Sequence, residues 1–110
     1  MSARWSQWRA FPDPRAGGVL VAPIGPGVYE LRRGDQLVLV GISSRCVHRM
    51  CSLLPPPWGS GTRNNAGKRK YVWRHLAEIE YRTFACATRE EAARVEREML
   101  RGTRRYLFAT

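Results

Sequence analysis

Residues 27 to 50 constrain this 110-residue chain more than any other stretch. They read Gly-Val-Tyr-Glu-Leu-Arg-Arg-Gly-Asp-Gln-Leu-Val-Leu-Val-Gly-Ile-Ser-Ser-Arg-Cys-Val-His-Arg-Met. Pro26-Gly27 leads into a strand over Val28 to Arg32. Arg33-Gly34-Asp35-Gln36 is a turn, because glycine takes a positive φ at no steric cost. Leu37 to Val40 is an unbroken apolar run, the pattern of a strand covered on both faces. Gly41 ends it, and Ser43 or Ser44 can cap a helix that begins there. On that helix Arg45 and Arg49 stand four apart and share a face. Cys46, Val47, Met50, Cys51 and Leu54 gather on the packing side. Arg45, His48, Arg49 and Ser52 gather on the other, either solvated or offered to a ligand.

The rest of the chain completes a small domain around this block. Residues 1–25 form an N-terminal arm in which Trp5, Trp8 and Phe11 recur at a spacing of three. These aromatics either dock on the core or stack on bases. Val19 to Ala22 is a candidate edge strand. Residues 54–70 hold three prolines and three glycines and read as a long basic loop. Its Arg63, Lys68, Arg69 and Lys70 either ride on a phosphate backbone or are solvated. Tyr71 to Ala77 is a helical turn or the start of a strand. Glu78 to Ala87 then alternates, with Ile79, Tyr81, Thr83 and Ala85 on one face of a third strand. Thr88 and Glu91 form a capping box for a helix over residues 89–101, stopped by Gly102.

Glu96 is the anomaly of that helix. Ala92, Val95, Met99 and Leu100 make its apolar stripe, and Glu96 lies four residues from both Ala92 and Leu100. A carboxylate inside such a stripe is costly without a partner. The partner is either a structural arginine or a divalent metal. The expected fold class is α/β of the α+β type. A central, mainly antiparallel three-stranded sheet (28–32, 37–41, 78–86) is flanked by helices at 43–53 and 89–101. One domain fills residues 1–110, with its core over 26–105.

Charge narrows the partner. Nineteen Lys and Arg against nine Asp and Glu leave a formal charge of +10. Such a surface attracts polyanions, nucleic acid first. No apolar run approaches the ~18 residues of a membrane span. The N-terminus has no apolar signal region, so a cytoplasmic protein without a membrane partner is expected. The three cysteines form no CxxC pair and lack the spacing of a zinc site. Cys46 and Cys51 are read as buried small hydrophobes.

Two motifs in the right order carry a resemblance. Gly27-Val28-Tyr29 is followed about ten residues later by Leu39-Val40-Gly41, and Arg49 stands eight beyond that glycine. This arrangement resembles the GIY-YIG nuclease family. Thr88 to Arg101 looks like the helix that carries the family's metal-binding glutamate, with Glu96 at its position. The resemblance spans residues 25–105 and implies a metal-dependent endonuclease. It implies that Tyr29 orients or activates water, that Arg49 contacts the phosphate, and that Glu96 holds Mg²⁺ or Mn²⁺. Arg45, His48, Arg63, Lys68, Arg69 and Lys70 would then bind the nucleic acid. The chain departs from the pattern at Leu39, Ile42 and Leu53, and at the asparagine expected after the last helix. His48 and Tyr106 are candidates to replace a lost group. The departures keep open an alternative, a domain of the same fold that binds nucleic acid without cutting it.

Overall fold

A computed structural model of the chain describes residues 5–54, 66–102 and 105–108. In chain order the elements are β1 (Arg9–Ala10), β2 (Gly27–Arg33), β3 (Gln36–Ser43), α1 (Cys46–Met50), α2 (Ala66–Arg74), β4 (Ile79–Ala85) and α3 (Arg89–Arg101). The strands form one antiparallel sheet in the order β1-β4-β2-β3. The expected three strands are therefore present, and β1 adds a two-residue edge.

The hairpin forms as its residues dictate. Arg33 pairs with Gln36 across a two-residue turn, and Gly34 sits there at φ 58°. The register shifts between Leu31 and Arg32, so that Leu31 faces Leu39 while Arg32 faces Leu37. Val38 is the extra residue of this bulge, and both Val38 and Leu39 reach the same core. Val38, Leu39 and Val40 are almost fully buried, as a strand covered on both faces requires.

Two apolar layers sandwich the sheet. On one side Tyr29, Leu31, Ile79 and Tyr81 pack with Cys46, Met50 and Leu53, and with Val72 of α2. On the other, Val28 and Val40 pack with Ala92 and Met99 of α3. β4 alternates as expected, with Ile79, Tyr81 and Thr83 buried. α3 also starts as expected. The Thr88 hydroxyl accepts from the Glu91 N–H at 3.0 Å, while the Glu91 carboxylate accepts from the Ala87 N–H at 2.7 Å.

The chain ends extend both sheet edges. The Ser6 N–H donates to the Thr83 carbonyl at 2.8 Å, and the Phe11 N–H to that of Ile79 at 2.9 Å. Trp5 meets Phe84 edge-on at 5.2 Å, and Phe11 meets Tyr81 at 5.7 Å. The N-terminal aromatics thus dock on the core instead of being held out for bases. At the opposite edge, Leu107 and Phe108 donate to the Leu37 and Val38 carbonyls at 3.0 and 2.9 Å.

Three expectations need correction. Val19 to Ala22 is not a strand, and Val19 and Val21 are exposed. The helix expected over 43–53 is shorter, because β3 continues to Ser43 and α1 covers only Cys46–Met50 before a 3-10 turn over Cys51–Leu53. No serine side chain caps α1. Instead the Cys46 and Val47 N–H groups donate to the Gly25 and Pro23 carbonyls at 2.9 and 2.8 Å. The basic loop expected over 54–70 is helical from Ala66 onward, because Val72 anchors α2 in the core. Residues 55–65, Arg63 among them, lie outside the described residues.

Candidate functional site

The site is built on the phenol of Tyr29. Tyr29 stands on β2 directly opposite Gly41 of β3. A Cβ at Gly41 would lie 2.4 Å from the Tyr29 Cζ and from its hydroxyl oxygen. The ring therefore occupies the space that a side chain at position 41 would fill. The glycine of the second triplet is a seat for the tyrosine of the first.

Arg49 reaches the phenol from α1. The loop before β2 fixes that approach, since the carbonyls of Pro23 and Gly25 hold the first turn of the helix. Arg49 is exposed, and its guanidinium lies near enough to the Tyr29 hydroxyl to lower the phenol's pKa. The Ser52 hydroxyl donates to the Arg49 carbonyl at 2.7 Å and tightens the end of α1. Burial pushes the Tyr29 phenol above its ordinary pKa of 10.0; Arg49 opposes that rise, and Cys46 and Glu96 add to it. Tyr29, Arg49 and Glu96 thus share one electrostatic neighbourhood, although they come from β2, α1 and α3.

Glu96 is half-buried at the margin of the packed stripe, not inside it. Ala92 and Met99 are buried, but Leu100 is 43% exposed, so the stripe ends short of where the sequence pattern drew it. Burial raises the Glu96 carboxyl above its ordinary pKa of 4.5, and Arg89 and then Lys68 pull it back down. Lys68 belongs to α2, which packs on the opposite layer from α3. β3 is the outer strand on this side, so side chains from both layers can meet beyond it.

The other candidate residues divide. Arg45 and His48 are exposed along α1, with the Arg45 N–H donating to the Ser43 hydroxyl at 3.0 Å. Lys68 and Arg69 are half-buried on α2, and Lys70 is exposed. Lys68 therefore stands on a helix, not an open loop, and its charge is felt at the Glu96 carboxylate. Arg89 was missed; it is two helical turns before Glu96, the spacing that could have marked it. The positions that depart from the family pattern are filled by packing. Leu39 and Leu53 are core residues, and Ile42 packs in the α3 layer.

A buried carboxylate at Glu30 was also missed. Its side chain has no exposure and accepts from Arg82 Nε and Nη2, each at 2.8 Å, and from the Tyr106 hydroxyl. The Arg82 guanidinium lies 4.3 and 4.7 Å from the ring centres of Trp5 and Trp8. Arg32 sits 4.0 Å over Trp8 and pairs with Glu80 at 2.8 Å. Glu30 faces Arg82, and Arg32 faces Glu80, across the β2–β4 register. This network lies on the α3 side of the sheet, away from the Tyr29 ring. It ties both chain ends to β2, and Tyr106 is committed to it.

The donor set suits a hard cation. Among the described residues no three His, Cys, Asp or Glu side chains cluster as a metal site. Among the described residues, the Glu96 carboxylate and the Tyr29 hydroxyl offer oxygen donors in this neighbourhood. Magnesium keeps several waters and needs only one or two carboxylates beside phosphate oxygens, so this sparse set fits it.

Comparison with known proteins bears on the fold. No family model and no curated protein matches the chain. Among solved structures, it is similar to the GIY-YIG N-terminal endonuclease domain of UvrC from Thermotoga maritima bound to its catalytic divalent cation, magnesium. That similarity has a TM-score of 0.60 and 23% identity, over 83% of this chain and 90% of that one. A point mutant of the same domain, also bound to its catalytic divalent cation, gives a TM-score of 0.59 and 25% identity over 83% and 89%. The chain is a GIY-YIG-like domain with a mixed α/β fold.

Proposed function

We propose that this domain is a metal-dependent endonuclease that hydrolyses phosphodiester bonds in nucleic acid, DNA in preference to RNA. One observation carries the reading: a phenol, a guanidinium and a half-buried carboxylate from three separate elements share one neighbourhood. The likeness to a magnesium-bound endonuclease domain supports it, as does the +10 charge.

Hydrolysis needs a water oxygen to bond to phosphorus as the bond to the leaving oxygen breaks. Negative charge grows on the non-bridging oxygens, and Arg49, exposed beside Tyr29, answers it with a fixed cation. Because burial raises its pKa, the Tyr29 phenol is neutral at neutral pH. It orients the water as donor and acceptor instead of serving as a standing base, and Arg49 fixes its hydroxyl. Glu96 would hold the divalent cation, which when bound supplies charge at the phosphate and leaving oxygens. Arg89 and then Lys68 partly offset the rise that burial gives the Glu96 carboxyl. Arg45 and His48 would extend the phosphate-binding face along α1.

A second reading is a nucleic-acid-binding module that does not cut. The apolar packing of Leu39, Ile42 and Leu53 favours it, because those positions offer no polar group to the site. Nicking of supercoiled plasmid with Mg²⁺, with Mn²⁺ and with EDTA separates the two. The nuclease reading expects nicking in the metal arms that Arg49→Ala abolishes. Binding without nicking in every arm would establish the second.

A further inference from the structure

α2 presents two different faces. Lys68 and Val72 stand four apart, Lys68 half-buried with its charge felt at Glu96 and Val72 in the core. Gly67, Lys70, Tyr71 and Arg74 follow the three-and-four spacing of a second stripe. That stripe and Phe108 line a cavity of about 280 Å³.

The walls of this cavity are chemically specific. Lys70 and Arg74 are exposed one turn apart, and among the described residues neither makes an ion pair. Tyr71 and Phe108 meet edge-to-face at 5.7 Å, and His75 lies 4.6 Å from the Tyr71 ring. Phe108 is fixed by the backbone bonds that add the C-terminal segment to β3. At Gly67 an added Cβ would meet only Phe108, at 4.0 Å, so the glycine leaves the entrance open. Two cations beside two aromatic rings match a phosphate joined to a base, the pairing used by single-strand binders. The volume is close to the ~300 Å³ lower bound of small-ligand pockets, which suits one nucleotide and nothing much larger.

We infer that the cleft between α2 and the C-terminal segment is a nucleotide subsite, where Lys70 and Arg74 hold a phosphate and Tyr71 and Phe108 take its base. The occupant is one nucleotide of the substrate strand, held across a helix roughly 10 Å wide from the Glu96 side. This rests on the nucleic-acid reading above. The subsite would order the strand beyond the scissile phosphate, and so set the shortest substrate that is cut well.

The test is fluorescence anisotropy with a labelled single-stranded 12-mer in EDTA, where no cleavage occurs. Lys70→Gln/Arg74→Gln, both exposed and safe for folding, should weaken binding and flatten the log–log salt slope by about 0.7 per lost phosphate contact. Phe108→Leu should weaken binding roughly 5- to 100-fold, the range of one base stack, without changing the slope. Adenosine monophosphate forms a second arm. It should compete only weakly with the 12-mer, and Phe108→Leu should remove that competition. Parental affinity and slope in both variants would overturn the subsite and leave the nucleic-acid reading standing. Failure of the 12-mer to bind, with the monophosphate bound through Phe108, would overturn the strand assignment and keep the pocket as a free-nucleotide site, while plasmid binding and nicking decide the nucleic-acid reading separately.

Discussion

Gly41→Ala is the most informative single change, because it adds one methyl group at the seat of Tyr29. The new Cβ would sit 2.4 Å from both Cζ and the hydroxyl oxygen, well inside van der Waals contact. The ring cannot simply swing away, since Tyr29 is 6% exposed and packed in the core with Cys46 and Met50. Overpacking of this kind costs about 1–3 kcal/mol. For a domain near this size that lowers Tm by roughly 5–20 °C. The hydroxyl must also shift relative to Arg49, and under the proposed mechanism a displacement of about 1 Å at such a group costs on the order of 10²-fold in rate. Thermal melts by circular dichroism and plasmid nicking read the two effects separately. Pairing the change with Tyr29→Leu removes the ring that clashes. The double variant should then be more stable than the sum of the single losses predicts, by about 1–2 kcal/mol. Unchanged Tm and rate in Gly41→Ala, or additive losses in the pair, would refute this account of the second glycine.

Three further outcomes follow from the same geometry. Glu96 binds its proton more tightly folded than unfolded, so its contribution to stability falls as pH rises from about 4.5 through the raised folded value. In EDTA, Glu96→Gln should therefore melt no lower than the parent at pH 7, with the gap closing below pH 4.5; a clear drop at pH 7 would make Glu96 a structural partner of Lys68 and Arg89. Glu30→Gln should lower Tm sharply at neutral pH, because breaking a buried pair costs about 3–5 kcal/mol, and an unchanged melt would show that Trp5 and Trp8 hold Arg82 unaided. Cys46, whose thiol burial pushes up to about 12, should resist iodoacetamide in the folded protein and react on unfolding, which peptide mass mapping reads directly.

The hairpin and α3 were legible in the sequence because each rests on a local rule. Gly34 sets the turn, alternation sets β4, and Thr88 with Glu91 sets the start of α3. Tyr29, Arg49 and Glu96 were singled out only through the motif resemblance, since nothing local relates a residue of β2 to one of α3. α2 was hidden because a single residue, Val72, carries its burial, and the glycine and prolines before it argued for a loop. The early end of Ser43 and Ser44 as cap candidates has a similar cause: the acceptors for α1 are backbone carbonyls twenty or more residues back, at Pro23 and Gly25. Glu30 was passed over because its partners Arg82 and Tyr106 are distant in sequence and close only through strand register.

The account rests on Tyr29, Arg49 and Glu96 acting as one hydrolytic unit. The direct test is the single-turnover rate of strand cleavage in Mg²⁺ for Tyr29→Phe, Glu96→Gln and the pair combined. Tyr29→Phe keeps the buried ring and removes only the hydroxyl. Each single change should lower the rate by about 10²-fold or more, and the combined variant should be no slower than the worse single one, as for residues that work together. Cleavage by Glu96→Gln at the parental rate, or losses that multiply in the combined variant, would contradict it.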